Sequence, residues 1–457
     1  MQPTTVTDDA PSVLAILQDR VLIRDLILRT AMAIPTRDTA AFRAAFAPDS
    51  AIFGPDSGDE STAVDYAARA IGGGWDGRQQ VVTNVVIDVH GDEATVSSRF
   101  IDAIAPDPSI PGGPATSLTG GRFLDRVVRT SDGWRIVERR IDVEWEASGD
   151  AGILAQFRAA GGTTADVVDR ERAIAERRGA LDEQALVDRQ QISDQIARLA
   201  RGVDRLDATV FATHFSDSMT MAFGATEVPG STFVGMSSGD APNRFATQHA
   251  VSNVVIAVEG DRAISSTHLF GVISYRPGFG PAFIKEENSA TGGLMFSGCR
   301  YLDEWARVGA EWRLIRRDLV QEWTGRFDNS TMSDFAGSPA AVGTRDLSDP
   351  SYAALLPATP AADVDAVVAR ELIAEAVATA ETGAPARHVL TENITVAGSN
   401  AVVEAYRLFA RIGDDDTVRI EGGRELLTLE RLDDRWQVTD VTLIPEWRTV
   451  VPKPDAV

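Results

Sequence analysis

The chain repeats itself, and this repeat limits more than any other feature what the chain can fold into. The stretch DRVLIRDLILRTAMAIPTRDTAAFRAAFAPDS, which begins at Asp19, matches DRQQISDQIARLARGVDRLDATVFATHFSDS, which begins at Asp188. The same offset of 169 residues separates TNVVIDVHGDEA, which contains Asn84, from SNVVIAVEGDRA, which contains Asn253. A chain of 457 residues is too long for a single core, and the repeat indicates that it is built from tandem units.

A second register runs through all three thirds of the chain. An arginine in GGRFLDRV, GCRYLDEW or GGRELLTL is followed twelve residues later by a tryptophan, and eleven residues after that by another. These residues are Arg122, Trp134 and Trp145, then Arg300, Trp312 and Trp323, then Arg424, Trp436 and Trp447. Because the register recurs in every third, we expect structural roles for it, and Glu144, Glu322 and Glu446 are candidate partners of the three arginines.

Each full unit opens with helical spacing and continues as strands. Apolar residues recur every three or four positions from Leu22 to Ile34, which is typical of an amphipathic helix. Later stretches such as ATVSSRFI and EWRLIRRDLVQEW are alternating or β-branched, and Gly-Asp or Asp-Gly turns separate them. Helices followed by antiparallel strands predict an α+β fold in which a curved sheet wraps around helices.

The repeats predict three tandem cone-shaped α+β barrel units, covering residues 1–160, 161–345 and 346–457 and packed as an internal pseudo-trimer. The third unit is predicted to be truncated, because only about one helix, near DVDAVVARELIAEAVATAE, precedes its strands. Linkers are expected around residues 146–182 and 326–362. The second is rich in the Pro, Gly, Ser and Asp of an exposed connection.

Composition limits the partners of the chain. The net charge of −23 argues against nucleic acid and against an anionic membrane surface, because both are bound through basic patches. The start MQPTTVTDDA does not resemble a signal peptide, no run of about 18 apolar residues occurs, and Cys299 stands alone, so we expect a cytoplasmic protein. There is no His-Glu-x-x-His, Cys-x-x-Cys or phosphate-binding glycine loop, and we expect neither metal nor cofactor.

The candidate chemistry is a histidine paired with an aspartate in the second unit. Asp204 stands at the end of the first predicted helix of that unit, and His249 stands at the start of its first long strand. A buried carboxylate that accepts from one ring nitrogen fixes the tautomer and leaves the other nitrogen as a base. The first unit has Pro35 and Gln80 at these two positions, and their joint replacement indicates that the two residues act together.

The alternative is that His249 is a packed core histidine, which is the commoner role of a single histidine. His388 aligns with His249, but its unit lacks a partner aspartate, so we expect it to be structural. The remaining histidines are expected away from the pocket, His268 on an exposed or inter-unit face and His214 and His90 at the surface.

Apolar residues near the pair are predicted to form the pocket wall of the second unit. They are Phe215, Met219, Met221, Phe223, Phe270 and Trp323. Because neighbouring residues of a strand face opposite sides, not all of them can point inward, and some are simply core. A cavity lined by aromatic and methionine side chains favours a small, largely apolar substrate.

The helix aspartate, the strand motif His-x-x-x-Asn and the pattern Gly-x-Arg-Tyr…Trp resemble the SnoaL-like branch of the nuclear transport factor 2 superfamily. Within it they resemble most the group of scytalone dehydratase, bile-acid dehydratase and hexachlorocyclohexane dehydrochlorinase. The resemblance covers residues 182–326 well, 10–146 clearly and 363–450 only through the strands. It implies that Asp204 orients His249 as the base of an elimination, and that Asn253, Tyr301 and Trp323 contact the substrate, although some dehydrochlorinases carry a functional arginine at the last position.

The sequence thus predicts a cofactor-independent lyase of the dehydratase or dehydrohalogenase type, acting on a small hydrophobic, alicyclic or steroid- or polyketide-like substrate. The same pair of residues also suits an isomerase or an aldol cyclase. A non-catalytic ligand-binding or scaffold protein is the alternative from a different class, in which the repeated units serve association.

Overall fold

The computed structural model describes residues 12–54, 60–72, 75–106, 116–149, 165–176, 181–278, 293–328, 345–346, 348–349, 351–352, 360–380, 386–413, 417–433 and 435–452. Within these ranges the chain forms three separate sheets, each packed on helices. Among the described helices, none has both the length and the apolar character needed to cross a membrane.

The first unit is a six-stranded sheet on three helices. Its helices are α1 (Val13–Met32), α2 (Thr39–Ala44) and α3 (Ala63–Gly72). Its strands are β1 (Phe46–Phe53), β2 (Glu60–Thr62), β3 (Trp75–His90), β4 (Glu93–Pro106), β5 (Thr116–Thr130) and β6 (Gly133–Gly149). They lie in the order β2-β1-β6-β5-β4-β3, with β1 and β6 parallel and the other neighbours antiparallel.

The second unit repeats this topology. Its helices are α4 (Ala165–Glu176), α5 (Glu183–Arg205), α6 (Ala208–His214) and α7 (Gly230–Gly239), with a 3₁₀ turn at Ala241–Asn243. Its strands are β7 (Thr220–Phe223), β8 (Thr226–Pro229), β9 (Arg244–Glu259), β10 (Arg262–Tyr275), β11 (Gly293–Val308) and β12 (Glu311–Asp328). The order β8-β7-β12-β11-β10-β9 matches that of the first sheet strand for strand, which confirms the repeat.

The third unit is shorter. In the described residues it has helix α8 (Val364–Thr379) and the strands β13 (Arg387–Ala397), β14 (Asn400–Ile412), β15 (Thr417–Leu432) and β16 (Arg435–Pro452), in that order in the sheet. Counterparts of the two short edge strands do not occur in its described part. The predicted fold class, two full α+β units followed by a truncated third, is confirmed.

Helix α5 carries the candidate aspartate, and local sequence sets both of its ends. Asp182 caps the first turn by accepting from the Ala185 amide, and the helix stops where Leu206 takes left-handed backbone angles. Its apolar stripe packs into the concave face of the second sheet through Ile192, Ile196, Leu199 and Val203. Asp204 lies in the last turn and is fully buried.

The first long strands β3, β9 and β13 contact one another. The equivalent helices α1, α5 and α8 contact β9, β13 and β3 respectively, so that these contacts form a cycle. Equivalent side chains join the strands: the Val82, Val251 and Val389 amides donate to Asn253, Thr391 and Asn84 at 2.8, 2.7 and 2.7 Å. The three units of one chain therefore pack around a pseudo-threefold axis.

The convex faces of the sheets meet in a second apolar cluster, here called the inter-unit cluster. It contains Ile101, Trp145, Ala250, Phe270, Phe296, Trp323, Tyr406, Leu408 and Trp447, among others. Three glycines make room for the tryptophans, because a Cβ added at Gly120, Gly298 or Gly422 would lie 1.8–2.1 Å from the indole of its own unit. Trp134, Trp312 and Trp436 instead fill the separate cores of the units.

The glutamates that precede the second tryptophans do pair with the arginines of the register. Arg122 Nε lies 2.7 Å from Glu144, Arg424 Nε lies 2.9 Å from Glu446, and Arg300 pairs with Glu322. The Arg122 side chain is 45% exposed, whereas those of Arg300 and Arg424 are fully buried. The same sequence position therefore lies at the surface in the first unit and is buried in the other two.

The connection at residues 326–362 is not exposed throughout, which corrects the prediction from its composition. Asp349 and Ser351 are buried. The Asp349 carboxylate accepts from both terminal nitrogens of Arg424 at 2.7 and 2.6 Å. This part of the connection is buried because it closes an ion-pair network between the second and third units.

Candidate active site

The structure brings Asp204 and His249 together. His249 Nδ1 lies 2.5 Å from Asp204 Oδ1, and the His249 backbone amide donates to Asp204 Oδ2 at 2.8 Å. The His249 side chain is 19% exposed, and no hydrogen bond from a described residue reaches its Nε2. One ring nitrogen is therefore held by a buried carboxylate while the other stays open to a ligand.

The alternation of side chains along a strand explains why His249 points towards α5. Along β9, Gln248 and Ala250 face the other units, where Gln248 donates to the Gly423 carbonyl at 3.2 Å and Ala250 joins the inter-unit cluster. His249 and Val251 point to the opposite face, on which α5 lies. The end of α5 and the start of β9 thus meet on the concave side of the second sheet.

A residue of the third unit completes the surroundings of the aspartate. The Tyr406 hydroxyl, on β14, donates to Asp204 Oδ2 at 2.6 Å. Both carboxylate oxygens are therefore hydrogen-bonded, one to the imidazole and one to the phenol and the His249 amide. In the strand register Tyr406 lies opposite Arg424. The residues opposite the equivalent arginines of the second and first units are His268 and Arg99, so those units have a histidine and an arginine in place of the tyrosine. Comparison of the sequences aligns Arg407 with His268, one residue out of register, and therefore does not identify Tyr406 as the equivalent residue.

The electrostatics keep the aspartate ionised. Burial by itself would raise the pKa of Asp204, but the His249 ring, the hydrogen bonds from His249 and the charge of Arg205 outweigh burial and lower that pKa. Burial and the nearby Asp204 charge raise the pKa of Tyr406 well above its ordinary value, so its hydroxyl remains a donor. An ionised Asp204 can stabilise a proton on the imidazole.

A polar row continues from His249 across the concave face. His249 is paired in register with Gly271 on β10, and Gly271 is paired with Ser297 on β11. Gln321, on β12, donates to Ser297 Oγ at 3.0 Å. Ser297 and Gln321 are polar groups that the sequence does not single out, because nothing in their spacing differs from that of ordinary strand residues.

Arg345 is a further residue that sequence reasoning misses. It lies in the predicted linker, and its Nε donates to the backbone carbonyl of Asp204 at 3.2 Å. No pattern in that linker distinguishes this arginine from an exposed one.

Four of the predicted wall residues, and the predicted substrate contact Tyr301, lie on the same side of the sheet as His249. Phe215, Met219, Met221 and Tyr301 are buried in the apolar cluster that includes the α5 stripe, and Phe223 packs against it half-buried. This cluster forms the apolar surroundings of the pair.

Three predicted substrate contacts are corrected. Phe270 and Trp323 point to the convex face and belong to the inter-unit cluster, because strand alternation turns them away from α5. Asn253 is buried between units, where its Nδ2 donates to the Gln80 carbonyl at 2.8 Å. Its φ of 48° places it in a bulge of β9, so its role is to join two strands.

The alignment of His388 with His249 is also corrected. His388 pairs with Leu408, which pairs with Gly422, whereas the equivalent chain in the second unit runs from Ala250 through Phe270 to Gly298. His388 therefore corresponds to Ala250 and faces the other units, and a shift of one residue has moved it to the opposite side of the sheet. Arg387 occupies the position of His249, and its buried guanidinium pairs with Glu425.

The remaining histidines are placed as follows. His268 is fully buried on the inter-unit face, as predicted, with its Nδ1 3.0 Å from Asn253 Nδ2. His90 is the last residue of β3 and is exposed, in line with the predicted surface position. The surface location predicted for His214 is wrong, because this residue ends α6 and is buried.

The buried histidines predict a loss of stability in acid. Burial, together with neighbouring arginines, lowers the pKa of His388 to about 3 and that of His214 to about 4. Between about pH 6.5 and these values the unfolded chain binds protons that the folded chain does not. The free energy of unfolding therefore decreases as the pH is lowered through this range. We expect His388→Phe to flatten this fall by up to about 1.4 kcal/mol per pH unit, measured by urea unfolding between pH 7 and 4.5. Equal flattening in His90→Phe would contradict this cause.

Within the described residues, no group of three His, Cys, Asp or Glu side chains is arranged to hold a metal ion.

Several solved structures are similar to about a third of this chain each. A putative scytalone dehydratase from Novosphingobium aromaticivorans is similar to 30% of this chain over 91% of its own length, with 18% identity and a TM-score of 0.27. A hexachlorocyclohexane dehydrochlorinase from Novosphingobium barchaimii is similar to 31% of this chain over 97% of its own, with 16% identity and a TM-score of 0.28. A protein of unknown function from Mycobacterium tuberculosis matches 36% of this chain and 94% of its own, with 24% identity and a TM-score of 0.25. No curated protein matches the chain.

The family is shown by the sequence itself. The model of the SnoaL-like domain matches residues 15–140 and again residues 184–318. The two matches follow the first and second units and together span more than half of the 457 residues. The chain therefore belongs to the SnoaL-like family and contains its domain twice in tandem.

Proposed function

We propose that the second unit is the active site of a cofactor-independent lyase in which His249 is the base and Asp204 orients it. The observation that carries the proposal is the 2.5 Å contact between His249 Nδ1 and Asp204 Oδ1, with Nε2 left open. The chain belongs to the SnoaL-like family, and its sequence resembles the dehydratases and dehydrochlorinases of that branch, which supports an enzyme. Residues 161–345 would form the working unit, with 1–160 and 346–457 packed against it.

The reaction would proceed in one balanced elimination. His249 Nε2 accepts a proton from a carbon next to the leaving group, and the electrons of that C–H bond form a C=C bond. The leaving group, hydroxide or halide, departs with the electrons of its own bond, and the imidazolium later returns its proton to that group or to solvent. Asp204 stabilises the imidazolium, and general-base catalysis of this kind contributes roughly 10²–10⁴-fold.

The substrate would be small and largely apolar, with an alicyclic or polycyclic skeleton. Phe215, Met221 and Tyr301 supply apolar surroundings on the side of the sheet that His249 faces. Ser297 and Gln321 offer a few polar anchors beside them. A mostly apolar site with few polar groups selects ligands by shape.

The test uses His249→Gln, which gives the second unit the residue that the first unit has as Gln80. Wild type and variant are incubated in D₂O with a panel of alicyclic alcohols and halides that carry a ketone beside an acidic C–H. We expect wild type to release water or halide from at least one compound, followed by NMR and mass spectrometry. The variant should be slower by about 10²–10⁴-fold.

The outcomes separate the competing functions. Equal rates in wild type and His249→Gln would contradict the proposal. Deuterium exchange at carbon without loss of a leaving group would favour an isomerase or aldol cyclase, and binding without any exchange would favour a ligand-binding protein.

A further inference from the structure

The guanidinium of Arg345 is buried without a partner for its two terminal nitrogens. Nη1 and Nη2 are both inaccessible to water, and neither is hydrogen-bonded to a residue that the structure describes. Nε has a partner among the described residues, since it donates to the backbone carbonyl of Asp204 at 3.2 Å. An arginine that keeps its terminal nitrogens buried and unpaired pays a desolvation cost that its own fold does not offset.

The carboxylates that act on Arg345 are already engaged elsewhere. Asp204 and Asp240 are the acidic groups whose charge it feels. Asp204 is hydrogen-bonded to His249 and Tyr406, and Asp240 pairs with Arg244. Arg205 and Arg244 add positive charge nearby. The surroundings of Arg345 thus hold an uncompensated cation next to the candidate base.

Burial lowers the pKa of Arg345 to about 10, which still leaves it protonated at neutral pH. Its free edge, formed by Nη1 and Nη2, presents parallel N–H donors in one plane. That geometry matches the two oxygens of a carboxylate, which arginine binds in a bidentate manner.

We propose that Arg345 binds a carboxylate of the substrate, so that the substrate class of the site is a small alicyclic or polycyclic acid. This inference rests on the proposed function of His249 for its chemistry but not for its binding. The carboxylate would be held at the end of α5, the apolar skeleton would lie against the concave cluster, and the reacting C–H would face His249. Anchoring one end of the substrate positions the other for reaction.

The test uses isothermal titration calorimetry on the full chain with two probes that share a cyclohexane ring. One is the anion cyclohexanecarboxylate, and the other is its uncharged isostere cyclohexanecarboxamide. We expect wild type to bind the carboxylate about ten- to a hundredfold more tightly, as one charged hydrogen-bonding pair allows. Arg345→Gln should abolish this preference. Arg313→Gln, the same charge change in the same unit at a half-buried arginine that bonds the Thr213 carbonyl, should keep it.

Thermal melting provides an independent readout. Because Arg345→Gln removes a buried cation without a carboxylate partner, we expect its Tm to equal or exceed that of wild type. A Tm lower by several degrees would show that the arginine serves the fold, and would overturn the inference. So would equal binding of the two probes by wild type, or a preference that survives Arg345→Gln.

Binding and turnover distinguish a failure of the proposed anion site from a failure of the proposed function. His249→Gln should keep the preference for the carboxylate while losing turnover. Wild-type protein that prefers the carboxylate but catalyses no elimination would support the anion site and contradict the proposed lyase activity. Wild-type protein that catalyses elimination from uncharged compounds but binds the carboxylate no better than the carboxamide would support the lyase and contradict the anion site.

Discussion

Asp204→Asn is expected to lower kcat of the proposed reaction by about 10²–10⁴-fold with little change in KM. The carboxylate accepts from Nδ1–H and so leaves the lone pair on Nε2, whereas an amide can donate to Nδ1 and move the ring proton to Nε2. A ring protonated at Nε2 cannot accept a proton from carbon. Substrate binding changes little, because Asp204 is buried behind the histidine.

Long-range ¹H–¹⁵N spectra of the imidazole report which ring nitrogen carries the proton, and should show the change of tautomer in Asp204→Asn. Tyr406→Phe is the matched control, since it removes one hydrogen bond from the same carboxylate and leaves its charge. We expect it to keep the tautomer and most of the activity. Wild-type kcat in Asp204→Asn, or an unchanged tautomer, would show that the contact does not orient the base.

Arg424→Met is expected to lower the free energy of unfolding by about 3–5 kcal/mol. It removes one of three buried arginines that balance three buried carboxylates, and Arg201 and Arg205 alone leave one buried negative charge uncompensated. Arg424 donates to Asp349, Glu404 and Glu446, and all four side chains are fully buried. Burial of a charge without a partner is among the largest single destabilising changes. Denaturant unfolding followed by circular dichroism and tryptophan fluorescence measures the loss, and coincident transitions test two-state behaviour.

Arg122→Met is the control for this prediction, since pseudo-symmetry places Arg122 at the same register position of the first unit. Its side chain is 45% exposed and pairs with Asp142 and Glu144. An exposed pair contributes about 0–1 kcal/mol, so this variant should stay close to wild type. Similar losses in both variants would mean that burial of the network does not decide its contribution.

The candidate pair could be predicted from the sequence because its two members are absent together from the first unit. The faces of the strands were harder to predict. Alignment of the sequences places His388 one residue away from its position in the sheet, and in a strand one residue is the difference between the pocket and the opposite face. The sequence predicts Phe270 and Trp323 in the pocket for a related reason, since a sheet that is buried on both sides carries apolar residues on both faces.

The sequence by itself determined the three units, the order of helices and strands within them, and the pair Asp204 and His249. These follow from local periodicity and from comparison of the copies, and both are properties of the chain order. Only the tertiary structure decided which side chains from outside α5 and β9 reach the pair. Tyr406 and Arg345 lie 202 and 141 residues beyond Asp204, and they meet it because three curved sheets pack around one axis, a geometry that no spacing along the chain encodes.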